Sequence, residues 1–326
     1  MARIAVLGAG AWGTALAVLW GKTHEVRLWA RRQEHAALVQ KERANPYLPG
    51  FSLPPGVEVT SLLDAACKDA EVIVLAVPAS GFQETTILLA ANGVRAPVVS
   101  GVKGLGSSLF FLHQVAQEEL RDCPYLALAG PSFAEEVAQG LPTAVALAGP
   151  ALLARDLARL LATPHLRIYT SQDVLGVELA GAYKNVLAIA SGLSDAMRLG
   201  FNARAALVTR GLAELSRLGM ALGASPMTFS GLAGIGDTLL STTSDLSRNR
   251  RLGLALGGGQ SLHEALSLLG HVAEGVGAAP RLVALAIESG VEVPIISEVN
   301  QVLHFGKAPS EAMKNLLGRA LKEEGI

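Results

Sequence analysis

The first half of the chain alternates short, β-branched apolar runs with segments of helical period. Runs at Ile4–Leu7, Val26–Trp29, Val57–Thr60, Val72–Val77, Pro97–Gly101, Tyr125–Ala129, Thr143–Leu147 and Leu166–Tyr169 have strand length. Between most of them lie amphipathic segments such as Gly13–Trp20, Glu34–Lys41, Phe110–Glu119 and Ala151–Leu160. Continuous apolar strands separated by helices predict a mainly parallel sheet covered on both faces. The pattern leaves open whether the later strands add an antiparallel portion. After Tyr169 the strand signals stop. Helical patterns then cover Val174–Met197, Asn202–Leu222, Thr238–Thr243, Asn249–Leu256, Leu262–Leu269, Ala278–Ser289, Ile295–Leu303 and Ser310–Leu321. These predict a second, all-helical domain, with the boundary near Ser171.

Composition fits that division. The chain has 326 residues, half of them hydrophobic, enough for two sizeable cores. The formal net charge of -1 and the absence of long single-sign blocks argue against nucleic acid or a membrane surface as partner. Glycine, proline or charge interrupts every apolar run short of a bilayer span, so no stable membrane insertion is expected. The first strand begins at Arg3, directly after the start, which predicts no signal peptide. Two cysteines, Cys67 and Cys123, have no metal-ligand spacing and suit a reducing, cytoplasmic setting. The histidines are scattered, and no metal site is expected.

Candidate chemistry starts at the N-terminus. Gly8-Ala9-Gly10-Ala11-Trp12-Gly13 follows the first strand and opens the first helix. In that context Gly8 permits a tight turn, Gly10 lets a pyrophosphate approach the backbone, and Gly13 allows close helix–strand packing. The free N–H groups of the helix then meet the phosphates. The fold class is thus an α/β Rossmann-like dinucleotide-binding domain over residues 1–171, followed by an all-α substrate domain over 172–326. The second strand ends without the Asp or Glu that would hold a ribose 2′-hydroxyl. Arg31 and Arg32 stand there instead, which favours NADP(H), with NAD(H) use also open. Val77-Pro78-Ala79 ends a strand on the side that faces the cofactor in this fold.

Two lysines and one turn stand out. Lys103 lies between glycines just past a strand end. Lys184 shares a helix face with Ala180 and Gly181, which leave space above it for a substrate or another helix. Carbonyl reduction needs a proton donor at the forming alkoxide, and the reverse reaction needs a base. A lysine serves both if burial or a second cation lowers its pKa. Ser247 is a credible N-cap before Arg248-Asn249-Arg250-Arg251, yet cations there oppose the helix dipole. A bound anion would resolve the conflict, which points to a phosphate-bearing substrate; the other reading is an exposed basic turn balanced by Asp245 and solvent ions. Asp237 either N-caps the following helix or contacts the substrate and Lys184. Gly130-Pro131-Ser132-Phe133-Ala134 is another strand-to-helix turn able to meet a ligand. His271-Val272-Ala273-Glu274-Gly275 reads as a short polar loop.

Taken together, these motifs resemble the bacterial-type, NAD(P)-dependent glycerol-3-phosphate dehydrogenase family. The resemblance is carried by Gly8-Ala-Gly-Ala-Trp-Gly-Thr-Ala-Leu, Tyr47-Leu-Pro-Gly, Lys103-Gly, Gly130-Pro-Ser-Phe-Ala and Gly140-Leu-Pro-Thr-Ala. It continues in Glu178-Leu-Ala-Gly-Ala-Tyr-Lys-Asn, Asn202-Ala-Arg-Ala-Ala-Leu, Thr209-Arg-Gly-Leu-Ala-Glu, Gly234-Ile-Gly-Asp and Ser247-Arg-Asn-Arg-Arg, across nearly the whole chain. It implies reversible reduction of dihydroxyacetone phosphate, a small phosphorylated triose, to sn-glycerol 3-phosphate for phospholipid synthesis. It implies Lys184 as proton acceptor in the oxidation direction, assisted by Lys103 and Asp237. It implies substrate contacts from Lys103, Gly130, Ser132, Lys184, Asp237, Ser247, Arg248 and Asn249. Cofactor contacts would come from Gly8, Gly10, Ala11, Trp12, Gly13, Arg31, Arg32, Lys103, Ala134, Arg248, Val272 and Glu274. Many relatives carry Ser where this chain has Ala11, which leaves only the backbone N–H at that point. The apolar helical domain points to a homodimer. A related hydroxyacid dehydrogenase of the same two-domain plan, or a non-catalytic NADP-binding sensor, are the other readings. The joint presence of Lys103, Lys184, Asp237 and the arginine turn argues against the sensor.

Overall fold

In the computed structural model the apolar runs of the first half become one sheet. The elements are β1 (Arg3–Leu7), α1 (Ala11–Trp20), β2 (Glu25–Trp29), α2 (Gln33–Glu42), β3 (Ala44–Asn45), β4 (Leu48–Ser52) and β5 (Val57–Thr60). They continue with α3 (Leu63–Cys67), β6 (Val72–Leu75), α4 (Phe82–Ala91), β7 (Val98–Ser100), α5 (Leu112–Glu119) and β8 (Tyr125–Ala129). Then come α6 (Ala134–Gln139), β9 (Thr143–Ala148), α7 (Ala151–Leu161) and β10 (Leu166–Ser171). The structure describes residues 1–106, 111–270 and 273–319. The chain divides into two compact units, Met1–Val102 with Gly106–Val174, and Lys103–Leu105 with Leu175–Ile326.

The eight-stranded sheet runs β10-β9-β8-β7-β6-β1-β2-β5. All neighbours are parallel except β8 and β9, where Leu128 faces Leu147 in an antiparallel pair. That settles what the pattern left open. A strand buried on both faces reads as the same apolar run in either direction. Successive residues of β1 go to opposite faces: Ile4 and Val6 join one apolar layer, Ala5 and Leu7 the other. The chain leaves β1 toward β2 on one side and later returns to β6 on the other. The C-terminal end of β1 is therefore a topological switch point, where open α/β sheets form their ligand crevice. The small β3–β4 hairpin was not visible as a strand pattern. The run Val72–Val77 stops being strand at Leu75, short of Pro78, which cannot donate to a ladder. Helix α1 is buried from Gly13 to Trp20, so it is a core helix rather than an amphipathic surface one.

The second unit is helical. It holds α8 (Val174–Ala196), α9 (Gly200–Ala221), α10 (Pro226–Phe229), α11 (Asp237–Thr243), α12 (Arg248–Gly257), α13 (Leu262–Leu269), α14 (Glu274–Glu288), α15 (Pro294–His304) and α16 (Pro309–Leu317). Helix α8 corrects one expectation. It is 23 residues long, and an 18-residue window with mean hydropathy 1.2 is apolar enough to cross a bilayer. However, 89% of that window is buried within the protein, so α8 is the core helix of its unit. Helix α14 starts four residues earlier than the pattern predicts, and Glu274 becomes its first residue instead of part of a loop. Pro280 hid this start, because it lies inside the helix and gives Val276 no N–H partner. The ring Nε2 of His304 meets the Val276 carbonyl at 2.9 Å instead. Val293 offers no side-chain cap to α15. The carboxylate of Glu214, 1% exposed, takes that place by accepting from the N–H groups of Ile295 at 3.0 Å and Ile296 at 3.3 Å. It also accepts from the Tyr183 hydroxyl at 3.0 Å. Burial pushes the Glu214 carboxyl up to about 7, although these hydrogen bonds pull against the shift.

Candidate active site

The glycine turn of the first unit is built from backbone. Gly8 has φ of +118°, and a Cβ there would lie 2.6 Å from the Ala76 carbonyl oxygen at the end of β6. A Cβ on Gly13 would overlap the Gly8 carbonyl oxygen. Nothing lies within 4 Å of a Cβ placed on Gly10, so that side of the turn is open. Gly10 is the N-cap of α1 and offers no side chain, while Ala11 is the first helical residue. The first-turn N–H groups are therefore left for a ligand. Asn45, 1% exposed, props the turn by donating to the Ala9 carbonyl at 3.0 Å and the Thr14 hydroxyl at 2.7 Å. The Trp12 indole N–H is buried and has no hydrogen-bond partner among the described residues. A Cβ on Gly101 would lie 2.8 Å from that nitrogen. These features suit a dinucleotide: a cradle that side chains would fill, open helix N–H groups and one spare indole donor.

Other expected contacts of this unit lie in separate places. Arg31 and Arg32 are exposed; Arg31 pairs with Glu84 at 3.1 Å, and Arg32 donates to the Tyr47 hydroxyl at 2.8 Å. Gly130 has φ of +149°, and a Cβ there would press on Val145 at 2.9 Å. Ser132 donates to the Gly130 carbonyl at 2.8 Å. Ala134 opens α6, which packs on α1. Val272 lies outside the described residues.

The second unit gathers charge. Lys103, three residues past the end of β7, belongs with the helices. Its ammonium donates to Asp237 Oδ2 at 2.7 Å. Lys184 Nζ lies 3.2 Å from Asp237 Oδ1 and donates to Ser241 Oγ at 2.8 Å. Asp237 is 1% exposed and Lys184 8% exposed, so neither is a surface group. Burial lowers the Lys184 ammonium to about 8, with Lys103 and Arg248 adding repulsion and Asp237 opposing. Burial pushes the Asp237 carboxyl up, but Lys103 and Lys184 outweigh it and hold the group below its ordinary value. Two expectations are refined here. Asp237 is not an N-cap: a π-helical turn over Leu232–Gly236 leads into it, and its own φ of -71° and ψ of -28° are helical. The carboxylate is thereby turned to the two lysines. The space above Gly181 is taken by the Lys103 stem, whose Cβ and Cγ would lie 3.8 Å from a Cβ on Gly181.

The basic turn behaves partly as expected. Ser247 N-caps α12 by accepting from Arg250 N at 3.3 Å. Arg250 is buried, however, and its charge is met by Asp195 at 2.7 Å and by Asp245. The conflict with the helix dipole is thus answered at Arg250 by carboxylates, which leaves Arg248 and the first N–H groups of the turn to meet an anion. Arg248, the first residue of α12, is exposed. Its pKa is lowered by desolvation and by Arg251, against the attraction of Glu274. Asn249 donates to Asn185 Oδ1 at 2.9 Å and accepts from Gly275 N at 3.0 Å, so both ends of its amide meet protein groups. Asn185 in turn donates to the Lys103 carbonyl at 3.1 Å. The sequence reading did not single out Ser241, Asn185 or Asp195. Ser241 had a usable signal, since it lies one turn beyond Asp237 on the same helix face. Asp195 had none, because its partner Arg250 is 55 residues away.

Known proteins match this chain over its length. The N-terminal description of NAD-dependent glycerol-3-phosphate dehydrogenase matches residues 3–152, and its C-terminal counterpart matches residues 173–314. The protein named glycerol-3-phosphate dehydrogenase [NAD(P)+] from Nitrosospira multiformis is 48% identical and covers 99% of both chains. The protein of the same name from Methylobacillus flagellatus is 49% identical, over 99% of this chain and all of its own length. The crystal structure of glycerol-3-phosphate dehydrogenase from Coxiella burnetii superposes with a TM-score of 0.94 at 41% identity, covering 98% of this chain and 99% of that one. With both halves matched in order and nearly half the residues identical, the chain belongs to the NAD-dependent glycerol-3-phosphate dehydrogenase family.

Proposed function

We propose that this chain catalyses the reversible reduction of dihydroxyacetone phosphate to sn-glycerol 3-phosphate with NADPH or NADH. Family membership supplies the reaction class. The observation that carries the chemistry is the buried Lys103–Asp237–Lys184 cluster, in which one ammonium is lowered to about 8. Residues 1–171, apart from the Lys103 turn, hold the nucleotide, and residues 172–326 carry the substrate groups. When bound, the reduced nicotinamide supplies the hydride that goes to C2 of the ketone.

Lys184 delivers the proton to the C2 oxygen as it gains charge, and removes it in the oxidation direction. Lys103 keeps a second positive charge near that oxygen and polarises the carbonyl. Asp237 positions both ammonium groups, and Ser241 fixes the Lys184 amine from the other side. Ser247, Arg248 and Asn249, with the first N–H groups of α12, seat the phosphate; Gly130 and Ser132 complete the substrate contacts. Gly8, Gly10, Ala11, Trp12, Gly13, Ala134, Val272 and Glu274 contact the nucleotide. Arg31 and Arg32 favour the 2′-phosphate of NADPH. The apolar composition of the helical unit supports a homodimer. We place the enzyme in the cytoplasm, supplying glycerol phosphate for phospholipid synthesis.

The test is an initial-rate assay with dihydroxyacetone phosphate, run once with NADPH and once with NADH, beside unphosphorylated dihydroxyacetone. Oxidation of nucleotide only with the phosphorylated ketone supports the assignment. Equal rates with the unphosphorylated ketone would remove the phosphate seat from it.

A further inference from the structure

Helices α8 and α12 run side by side in the same direction, and their closest approach is made of glycine. A Cβ on Gly192 would overlap the Arg250 carbonyl oxygen, and one on Gly253 would overlap the Ile189 carbonyl oxygen. One turn further on, a Cβ on Gly257 would lie 2.6 Å from the Ala196 methyl. The backbones therefore meet at these glycines with no room for a side chain between them. Polar contacts lock the two ends of this crossing. At one end Asn185, next to Lys184, accepts from Asn249 at 2.9 Å. At the other end Asp195 holds Arg250 at 2.7 Å and Arg204 at 2.8 Å. Arg250 is also the residue whose N–H is capped by Ser247.

We infer that this glycine crossing, braced by Asp195, is a spacer that sets the distance between the Lys184 ammonium and the Ser247–Asn249 turn, and so the length of phosphorylated ketone the enzyme accepts. The inference rests on the assignment of those two groups to proton transfer and phosphate binding. Lys184 lies five residues from Ile189 on α8, about 7.5 Å of helix rise, and Arg248 lies five residues from Gly253 on α12. A change in the gap at Gly253 is thus carried along both helices to the carbonyl and phosphate ends of the substrate. Gly192 and Gly253 touch neither end themselves. They are positioning residues, and so is Asp195.

The experiment compares two substrates: dihydroxyacetone phosphate, and 1,4-dihydroxybutan-2-one 4-phosphate, which has one more methylene between carbonyl and phosphate. Gly253→Ala and Gly192→Ala force the helices apart. We expect kcat/KM for the triose to fall about 100-fold, the order of loss for a 1 Å misplacement. The loss for the longer ketone is expected to be several-fold smaller, so the ratio between substrates drops by that same several-fold factor. Asp195→Asn keeps the crossing but leaves Arg250 held by Asp245 alone, and is expected to reduce the ratio in the same direction; Asp195→Glu restores part of it. If a glycine variant does not fold, as judged by thermal unfolding, the Asp195 pair decides. Equal loss on both substrates in every folded variant overturns the spacer while leaving the dehydrogenase assignment intact. A wild-type protein inactive on the triose phosphate overturns both.

Discussion

The two halves of this chemistry are built by opposite means. The nucleotide turn of the first unit is made by backbone: three glycines within six residues, a β-strand end and a helix start. The polar cluster of the helical unit is made by side chains that are far apart in the chain. Lys103 meets Asp237 across 134 residues, and Lys184 meets Ser241 across 57. A backbone site tolerates many side chains but no Cβ at its tight points. A side-chain site tolerates movement of any single helix poorly, because several helices must agree on one geometry. The difference predicts which substitutions harm binding and which harm chemistry.

The sharpest break is Lys184→Ala. It should lower kcat for dihydroxyacetone phosphate reduction about 10²- to 10⁴-fold while NADPH binding, followed by fluorescence titration, stays near wild type. Loss of both together would mean that the two sites are not separable. Glu214→Gln probes whether the helical unit depends on buried side chains away from its chemistry. The native Glu214 carboxyl binds a proton up to about pH 7, whereas the unfolded one releases it near 4.5. The stability from that proton is present below pH 4.5 and lost as pH rises through about 7. The gap corresponds to about 3 kcal/mol. Wild-type thermal stability should therefore drop between pH 5 and pH 8 by more than that of Glu214→Gln; parallel curves would show that Glu214 does not drive the change.

Gly8→Ala attacks the backbone site. A side chain at φ of +118°, pressed on the Ala76 carbonyl, costs about 1–3 kcal/mol. NADPH affinity should fall about tenfold or more, whereas the Lys184 pH profile is unmoved. That profile is the next test. Lys184 is charged below about pH 8 and neutral above it. Reduction should hold its rate below about 8 and decline above, and glycerol phosphate oxidation should rise through the same range. A pH midpoint near the ordinary lysine value would disconnect Lys184 from the rate. The smallest effect is expected at Arg31 and Arg32, whose side chains are exposed and paired with Glu84 and Tyr47. Alanine at each should raise the KM for NADPH by up to about fivefold and leave that for NADH little changed, since exposed ion pairs contribute about 1 kcal/mol or less.

Local backbone requirements are written in consecutive residues, and they were legible in the sequence alone. The strand–turn–helix of Gly8 to Gly13, the strand-length apolar runs of the first half, the helical second half and the Ser247 cap all depend on neighbours within one or two turns. The tertiary structure decided what depends on distant partners. It turned Asp237 from a plausible N-cap into the carboxylate between two lysines, by way of a π-helical turn that no periodicity announces. It gave Arg250 to Asp195 rather than to an anion, and placed Glu214 under the bare start of α15. It also showed α8 to be a core helix, which its apolar composition alone could not separate from a membrane span. The physical reason is the same in each case. Burial, and the pairing that makes burial of charge tolerable, are properties of which surfaces meet, and sequence periodicity records only which surfaces are available.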